Sequence, residues 1–168
     1  SVEFYPSLSV IAGYPSTSQP LPHWKALNYV DDADLAWIGV DSSKRPSPEQ
    51  PVFVVQSSAA FAQRHDQTQD LHPVGQYIVQ RASELLLPWL DTPEWIQVHR
   101  WRYAFPSRCF QQACLPANSS LPLICCGDWC GGNLVEGAML SGLTAAEEIN
   151  NHLRHLPLPK ESFLNFLS

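Results

Sequence analysis

Apolar and polar positions along this chain change period several times, and each change marks an element. Residues 7–14 (SLSVIAGY) are rich in β-formers and run into Gly13 and Pro15, which predicts a first strand leading into a Pro/Ser loop. Residues 35–41 (LAWIGVD) and 51–57 (PVFVVQS) predict two further strands. The polar, twice-proline segment SSKRPSPEQ between them makes these two an antiparallel hairpin with a moderately long connection. After a polar stretch over 62–72, apolar side chains recur at Val74, Tyr77, Ile78, Ala82, Leu85 and Leu86, the three-and-four spacing of an amphipathic helix, which Pro88 limits. Residues 94–104 (EWIQVHRWRYA) set Trp95, Gln97, His99, Trp101 and Tyr103 against Ile96, Val98, Arg100 and Arg102. That alternation predicts a long strand with bulky side chains on both faces, one that lines something rather than facing water.

Residues 105–120 read as loop. The short apolar run 121–126 (LPLICC) is the pattern of a strand covered on both faces in a parallel sheet, and it ends at Gly127 and Asp128. Beyond Gly131 and Gly132, good helix formers without proline predict a helix over 133–152. Ala138, Gly142, Ala145 and Ala146 fall on one side of it, with Ile149 extending that side, so the helix can approach a sheet or a ligand closely. A strand, a Gly-Asp turn, two more glycines and a helix of small residues put unpaired backbone N–H groups beside a cavity. The helix dipole favours negative charge there, so an anionic or electron-rich ligand belongs at this point.

Composition narrows the partners. An apolar fraction of 45% over 168 residues supports a real core, and six Trp, seven Phe and five Tyr suit flat-ring cavities as well as cores. A net charge of −6 with only ten Lys plus Arg argues against nucleic acid or an anionic membrane surface. No apolar run approaches the roughly 20 residues of a membrane span. Five cysteines, an odd number confined to 109–130, fit reduced thiols in a cytoplasm better than a disulfide framework. They lack paired CxxC spacings, so no metal site is expected. Cys130 near a helix start could be an activated thiolate, but a buried or cavity-lining thiol is the stronger reading. The chain starts without Met or a secretory signal, which reads as a beginning within a longer protein.

The segment CCGDWCGGNLVEGAMLSGLTAAEEI, residues 125–149, resembles the last FAD-binding motif of the flavin amine oxidase superfamily. Combined with HRWRYA (99–104), WIGVDSSKRP (37–46) and VVQSSAAFA (54–62), the likeness is to renalase-like NAD(P)/FAD-dependent oxidoreductases, with this chain as their C-terminal part. The resemblance implies FAD as cofactor, held through Gly127, Asp128, Leu134, Val135 and Glu136. Gly127 would let the backbone pass close to it, and Asp128 would accept a hydrogen bond from a ribityl or phosphate-side hydroxyl. The Val135 N–H would face the flavin N1 and C2 carbonyl region, where charge collects on reduction. It also implies a substrate cavity near His99, Trp101, Tyr103 and Trp129, without an obligatory protein acid or base. Taken alone, Asp128 is an ordinary turn residue or cap, the small residues ordinary helix packing, and the His99 face a packed aromatic row.

The expected fold is α+β. A mainly antiparallel substrate-side sheet with a helix occupies residues 1–118, the terminal strand and helix of a Rossmann-like FAD domain follow over 119–156, and a tail covers 157–168. The family's N-terminal GxGxxG turn is not in this chain, and Gly127 to Gly132 lacks its spacing. The implied partners are that FAD-binding portion of the same protein, a small-molecule substrate and O2, with a homodimer through an exposed sheet edge also expected. The chain alone should be inactive. The implied reaction is hydride transfer from a dihydronicotinamide isomer or an amine to flavin, with reoxidation by O2. The competing class is a non-catalytic small-molecule or peptide binding module in which the Gly-Asp-helix segment is only structural.

Overall fold

The computed structural model describes residues 2–16, 20–117 and 123–154. Two compact units divide the chain, Phe4–Ala104 and a second formed by Phe105–Ser168 with Ser1–Glu3. In the first unit, β1 (Phe4–Gly13), β2 (Ala26–Asn28), β3 (Leu35–Val40), β4 (Val52–Ser57) and β5 (Trp95–Pro106) form a five-stranded sheet in the order β2-β3-β4-β1-β5. The pairs β1/β4, β2/β3 and β3/β4 are antiparallel. Along β1 and β5 the contacts run in opposite chain order, with Trp95 over Gly13, Trp101 bonded to Ser9 and Tyr103 against Phe4. Helices α1 (Ala59–Arg64) and α2 (His72–Leu85) complete this α+β unit.

Pleating separates two faces of the sheet. Leu8, Val10 and Ala12 of β1, Ile38 and Val40 of β3, and Phe53 and Val55 of β4 are buried on one face. They join Phe61 and Ala62 of α1 and Val74, Ile78, Val79 and Ala82 of α2 in a single core. Tyr14, just past β1, anchors this core by donating its hydroxyl to the Leu90 carbonyl at 2.8 Å and meeting Phe53 and Trp89 edge to face. Gly75 brings α2 against β5, because a Cβ there would sit 2.3 Å from a Val98 methyl. Ile96 and Val98 are therefore the inward side of β5, which Arg100 ties down by donating to the carbonyls of His65 and Thr68.

The hairpin of the second and third sequence-read strands forms as expected, in the register Ile38↔Val55 and Val40↔Phe53. The connection contains a 3-10 turn, Asp41–Lys44, closed by ion pairs from Asp41 to Lys44 and Arg45. Two elements escape the periodic reading. α1 is a six-residue helix started by the Ser58 hydroxyl, which accepts the Phe61 N–H at 3.1 Å. β2 is three residues long.

The second unit holds β6 (Leu115–Pro116), β7 (Ile124–Cys125) and α3 (Leu134–Arg154). Here the expectation of a buried parallel strand over 121–126 fails. The observed strand is two residues, it pairs antiparallel with β6, and Leu123, Cys125 and Cys126 are exposed. The cause is a lack of cover: within the described residues only the short β6 pairs with it, and no layer lies on both its sides. Residues 121 and 122 of that reading, the loop residues 118–120 and the tail from 155 lie outside the described residues.

Asp32 fixes the entry to β3. Its carboxylate accepts the N–H groups of Asp34 and Leu35 at 2.9 and 2.8 Å and an Arg81 guanidinium nitrogen at 2.9 Å. Burial pushes this carboxyl up, yet the two backbone donors and Arg81 together hold it below the usual value. A depressed carboxyl stabilises the fold fully above the unfolded value of about 4, and the contribution disappears as pH falls through the folded value. Asp32→Asn should cost about 1–3 kcal/mol in urea unfolding at pH 7, with the gap to the native protein narrowing below about pH 4. A gap that stays constant across that range would contradict this role.

Candidate flavin and substrate site

The turn between β7 and α3 is held from several directions. Gly127 has φ +150° and donates its N–H to the Ser141 hydroxyl at 2.9 Å, while its carbonyl accepts the Cys130 N–H at 3.0 Å. Ser141, buried on α3, donates in turn to the Ala113 carbonyl at 2.5 Å, so one hydroxyl joins the turn, the helix and the preceding loop. The Phe110 N–H reaches the Trp129 carbonyl at 2.8 Å and the Gly131 N–H reaches the Phe110 carbonyl at 2.7 Å, with the two rings edge to face.

Glycine is required at two further places. Gly131, at φ +71°, lies against the Ala113 backbone. At Gly137 a Cβ would stand 2.1 Å from the Gly132 carbonyl oxygen, so its absence lets the turn fold back onto the first turn of α3. Leu134 also has φ +70°, a conformation that costs a non-glycine residue about 1–2 kcal/mol. Strain of this kind persists where surrounding structure over-determines it, often at ligand sites.

The result is an open helix start. The first N–H groups of α3 have no intrahelical acceptor, and Leu134 and Val135 are 66% and 86% exposed there. Asp128 is half-buried; its carbonyl accepts from the Cys109 thiol, and its carboxylate has no protein partner among the described residues. Unpaired amides, the positive end of a 21-residue helix and an acceptor-only carboxylate fit the oxygens and hydroxyls of a flavin and its ribityl chain. Glu136 is exposed in the first helical turn, where a carboxylate complements the dipole but would oppose charge on a reduced flavin. Its contribution to a cofactor would run through the main chain.

Other residues fall differently from the sequence reading. The helix side that packs is Ser141 and Ala145, whereas Ala146 is exposed and a Cβ on Gly142 would meet nothing within 4 Å. Trp129 is half-buried and fills the space over Gly127, its indole nitrogen 2.8 Å from where a Cβ would stand. Cys130 is buried, and burial pushes its thiol up, so it is a packed thiol and not an activated nucleophile. All five cysteines are free, and no group of three or more metal-ligating side chains comes together among the described residues.

In the first unit, His99, Trp101 and Tyr103 share the outward side of β5, opposite Ile96 and Val98. The His99 and Trp101 rings meet edge to face at 4.2 Å, while Tyr103 is exposed and touches Phe4. The sheet face they belong to is the one that α1 and α2 leave uncovered. Across it lie Trp37, Gln56 and Ser9 in register, then Trp101, whose indole N–H donates to Ser9 Oγ at 3.1 Å. Trp37 and Trp95 lie over Gly39 and Gly13, where any Cβ would collide with the indoles. Sequence patterning missed Ser9, Trp37, Gln56 and Ser141. A Ser spaced four residues from Gly137 and Ala145 was the available signal for Ser141; cross-strand register, which would have found the others, has no local signal.

A family model for flavin containing amine oxidoreductases matches residues 1–150. The chain belongs to that family. Its cofactor is accordingly FAD, and its general chemistry is flavin-dependent oxidoreduction. No helix of the described residues is long and apolar enough to cross a membrane.

Gly137 and Gly142 give opposite expectations on the same helix. Gly137→Ala should destabilise by about 1–3 kcal/mol by driving the Gly132 carbonyl away. Gly142→Ala should stabilise by roughly 0.5–1 kcal/mol through helix propensity alone. Thermal unfolding of both variants checks the pair, and equal shifts of the same sign would refute the close backbone approach.

Proposed function

We propose that the protein acts as a renalase-like, FAD-dependent oxidase that takes a hydride from a small reduced substrate, a dihydronicotinamide isomer or an amine, and passes the electrons to O2. The observation that carries this reading is the uncovered sheet face, which combines indoles with uncharged hydrogen-bonding groups. Trp37 and Trp101 stand three strand spacings apart, roughly 14 Å, with Gln56 and Ser9 between them. Such a surface suits a flat, neutral ring. Oxidation of a dihydropyridine needs no proton removed by the protein, in keeping with a Trp37 to Trp101 row that, among the described residues, holds Gln56 and Ser9 and no carboxylate. FAD, when bound, supplies the hydride acceptor and the reaction with O2.

The chain's own contributions are positional and electrostatic. The amides at the start of α3, Val135 among them, would donate toward the pole of the flavin that gains charge, and Asp128 would accept from its ribityl hydroxyls. His99, Trp101 and Tyr103 would bound the substrate, with Trp129 beside the flavin motif. The 168 residues contain no GxGxxG turn, so the adenine half of FAD would be held by another part of the protein, and this chain alone would retain FAD weakly and be inactive. Work in the cytoplasm fits the free cysteines.

The flavin-loaded protein should release hydrogen peroxide when given a dihydropyridine isomer of NADH, or failing that benzylamine, under air. Asp128→Ala should weaken FAD retention on dialysis roughly 10- to 100-fold, the worth of one hydrogen bond to a charged group. A protein that stays colourless and indifferent to both compounds even when joined to the part that holds the adenine half of FAD would overturn the oxidase reading.

A further inference from the structure

The outer face of the sheet contains one indole fixed by a side chain that no reading of the sequence singled out. Trp101 is half-exposed on the edge strand β5, 50% accessible, so its ring is free to sample several rotamers unless something holds it. Ser9 on β1 is buried at 8%, and its Oγ accepts the Trp101 indole N–H at 3.1 Å. Ser9 itself is set by register, directly opposite Gln56 of β4, which in turn stands opposite Trp37 of β3. His99 completes the arrangement by pressing on the Trp101 ring edge to face at 4.2 Å.

We propose that Ser9 is a positioning residue for substrate binding: its hydroxyl holds the Trp101 indole, and through it His99, in the orientation that bounds the substrate ring. This rests on the reading that the uncovered face of the sheet bounds the substrate cavity. Serine is the right size for the task. A residue much larger than threonine at position 9 would displace the indole, and alanine would leave its N–H without the acceptor and the ring without a fixed rotamer. The hydroxyl spends one lone pair on Trp101 and keeps its own O–H, so it can also donate across the face toward Gln56 or a bound ring.

Two independent readouts test this in the flavin-loaded protein. The first needs no substrate: the indole N–H resonance of Trp101, assigned by its loss in Trp101→Phe, should shift and exchange faster with solvent in Ser9→Ala and return toward the native position in Ser9→Thr. The second is kinetic, with the dihydropyridine isomer of NADH or benzylamine, whichever is oxidised. Ser9→Ala and Trp101→Phe should each raise KM roughly two- to tenfold, the worth of one neutral hydrogen bond, with kcat within about twofold. The double variant should be no worse than either single one, because both remove the same contact. An unmoved indole resonance in Ser9→Ala overturns the proposal whatever the kinetics. A moved resonance with unchanged KM also overturns it, and points to the underlying reading of the face as the part at fault.

Discussion

Helices cover the five-stranded sheet on one side only, and nearly everything else about the first unit follows from that asymmetry. Because side chains alternate across a pleated strand, β1 must commit Leu8, Val10 and Ala12 to the core and leave Ser9, Ile11 and Gly13 to the other face. The same division runs through β3, β4 and β5 by register. The uncovered face is neither a charged solvent face nor a purely apolar one. It carries indoles packed over glycines and a short polar row between two indoles, a composition suited to receiving a planar molecule.

The second unit solves a different problem, that of exposing a helix start without letting it unravel. Ser141 spends its hydroxyl on the Gly127 amide and the Ala113 carbonyl, and Gly137 admits the Gly132 backbone, so the turn is fastened away from its open side. What remains unfastened among the described residues is the helix start itself: the first amides of α3, the positive φ of Leu134 and the Asp128 carboxylate. A turn fixed behind an exposed helix start is the condition under which a helix dipole can act on a bound anion or electron-rich ring.

Much of the fold was legible in local patterns. β1, β3 and β4 announce themselves as runs of β-formers, β5 by its period of two, α2 by three-and-four spacing, and α3 by good helix formers without proline. α1 and β2 did not, being too short for a period to emerge, although Ser58 ahead of α1 was a readable cap. Residues 121–126 misled because an apolar run implies cover that the described residues do not provide. The residues proposed for the flavin were suggested only by the family likeness, since Gly-Asp before a helix is common turn chemistry. The Trp37, Gln56, Ser9 and Trp101 row could not be read at all: four residues far apart in sequence meet only once the strand order is known.

The central claim is that the opening amides of α3 are kept unpaired in order to bind flavin. Residue-resolved hydrogen exchange on the FAD-loaded and FAD-stripped protein tests it most directly. The N–H groups of Leu134, Val135 and Glu136 should exchange fast without FAD and become protected on its binding, while those in the middle of α3 change little. Stoichiometric FAD binding that leaves these three amides exchanging at the same rate would contradict it.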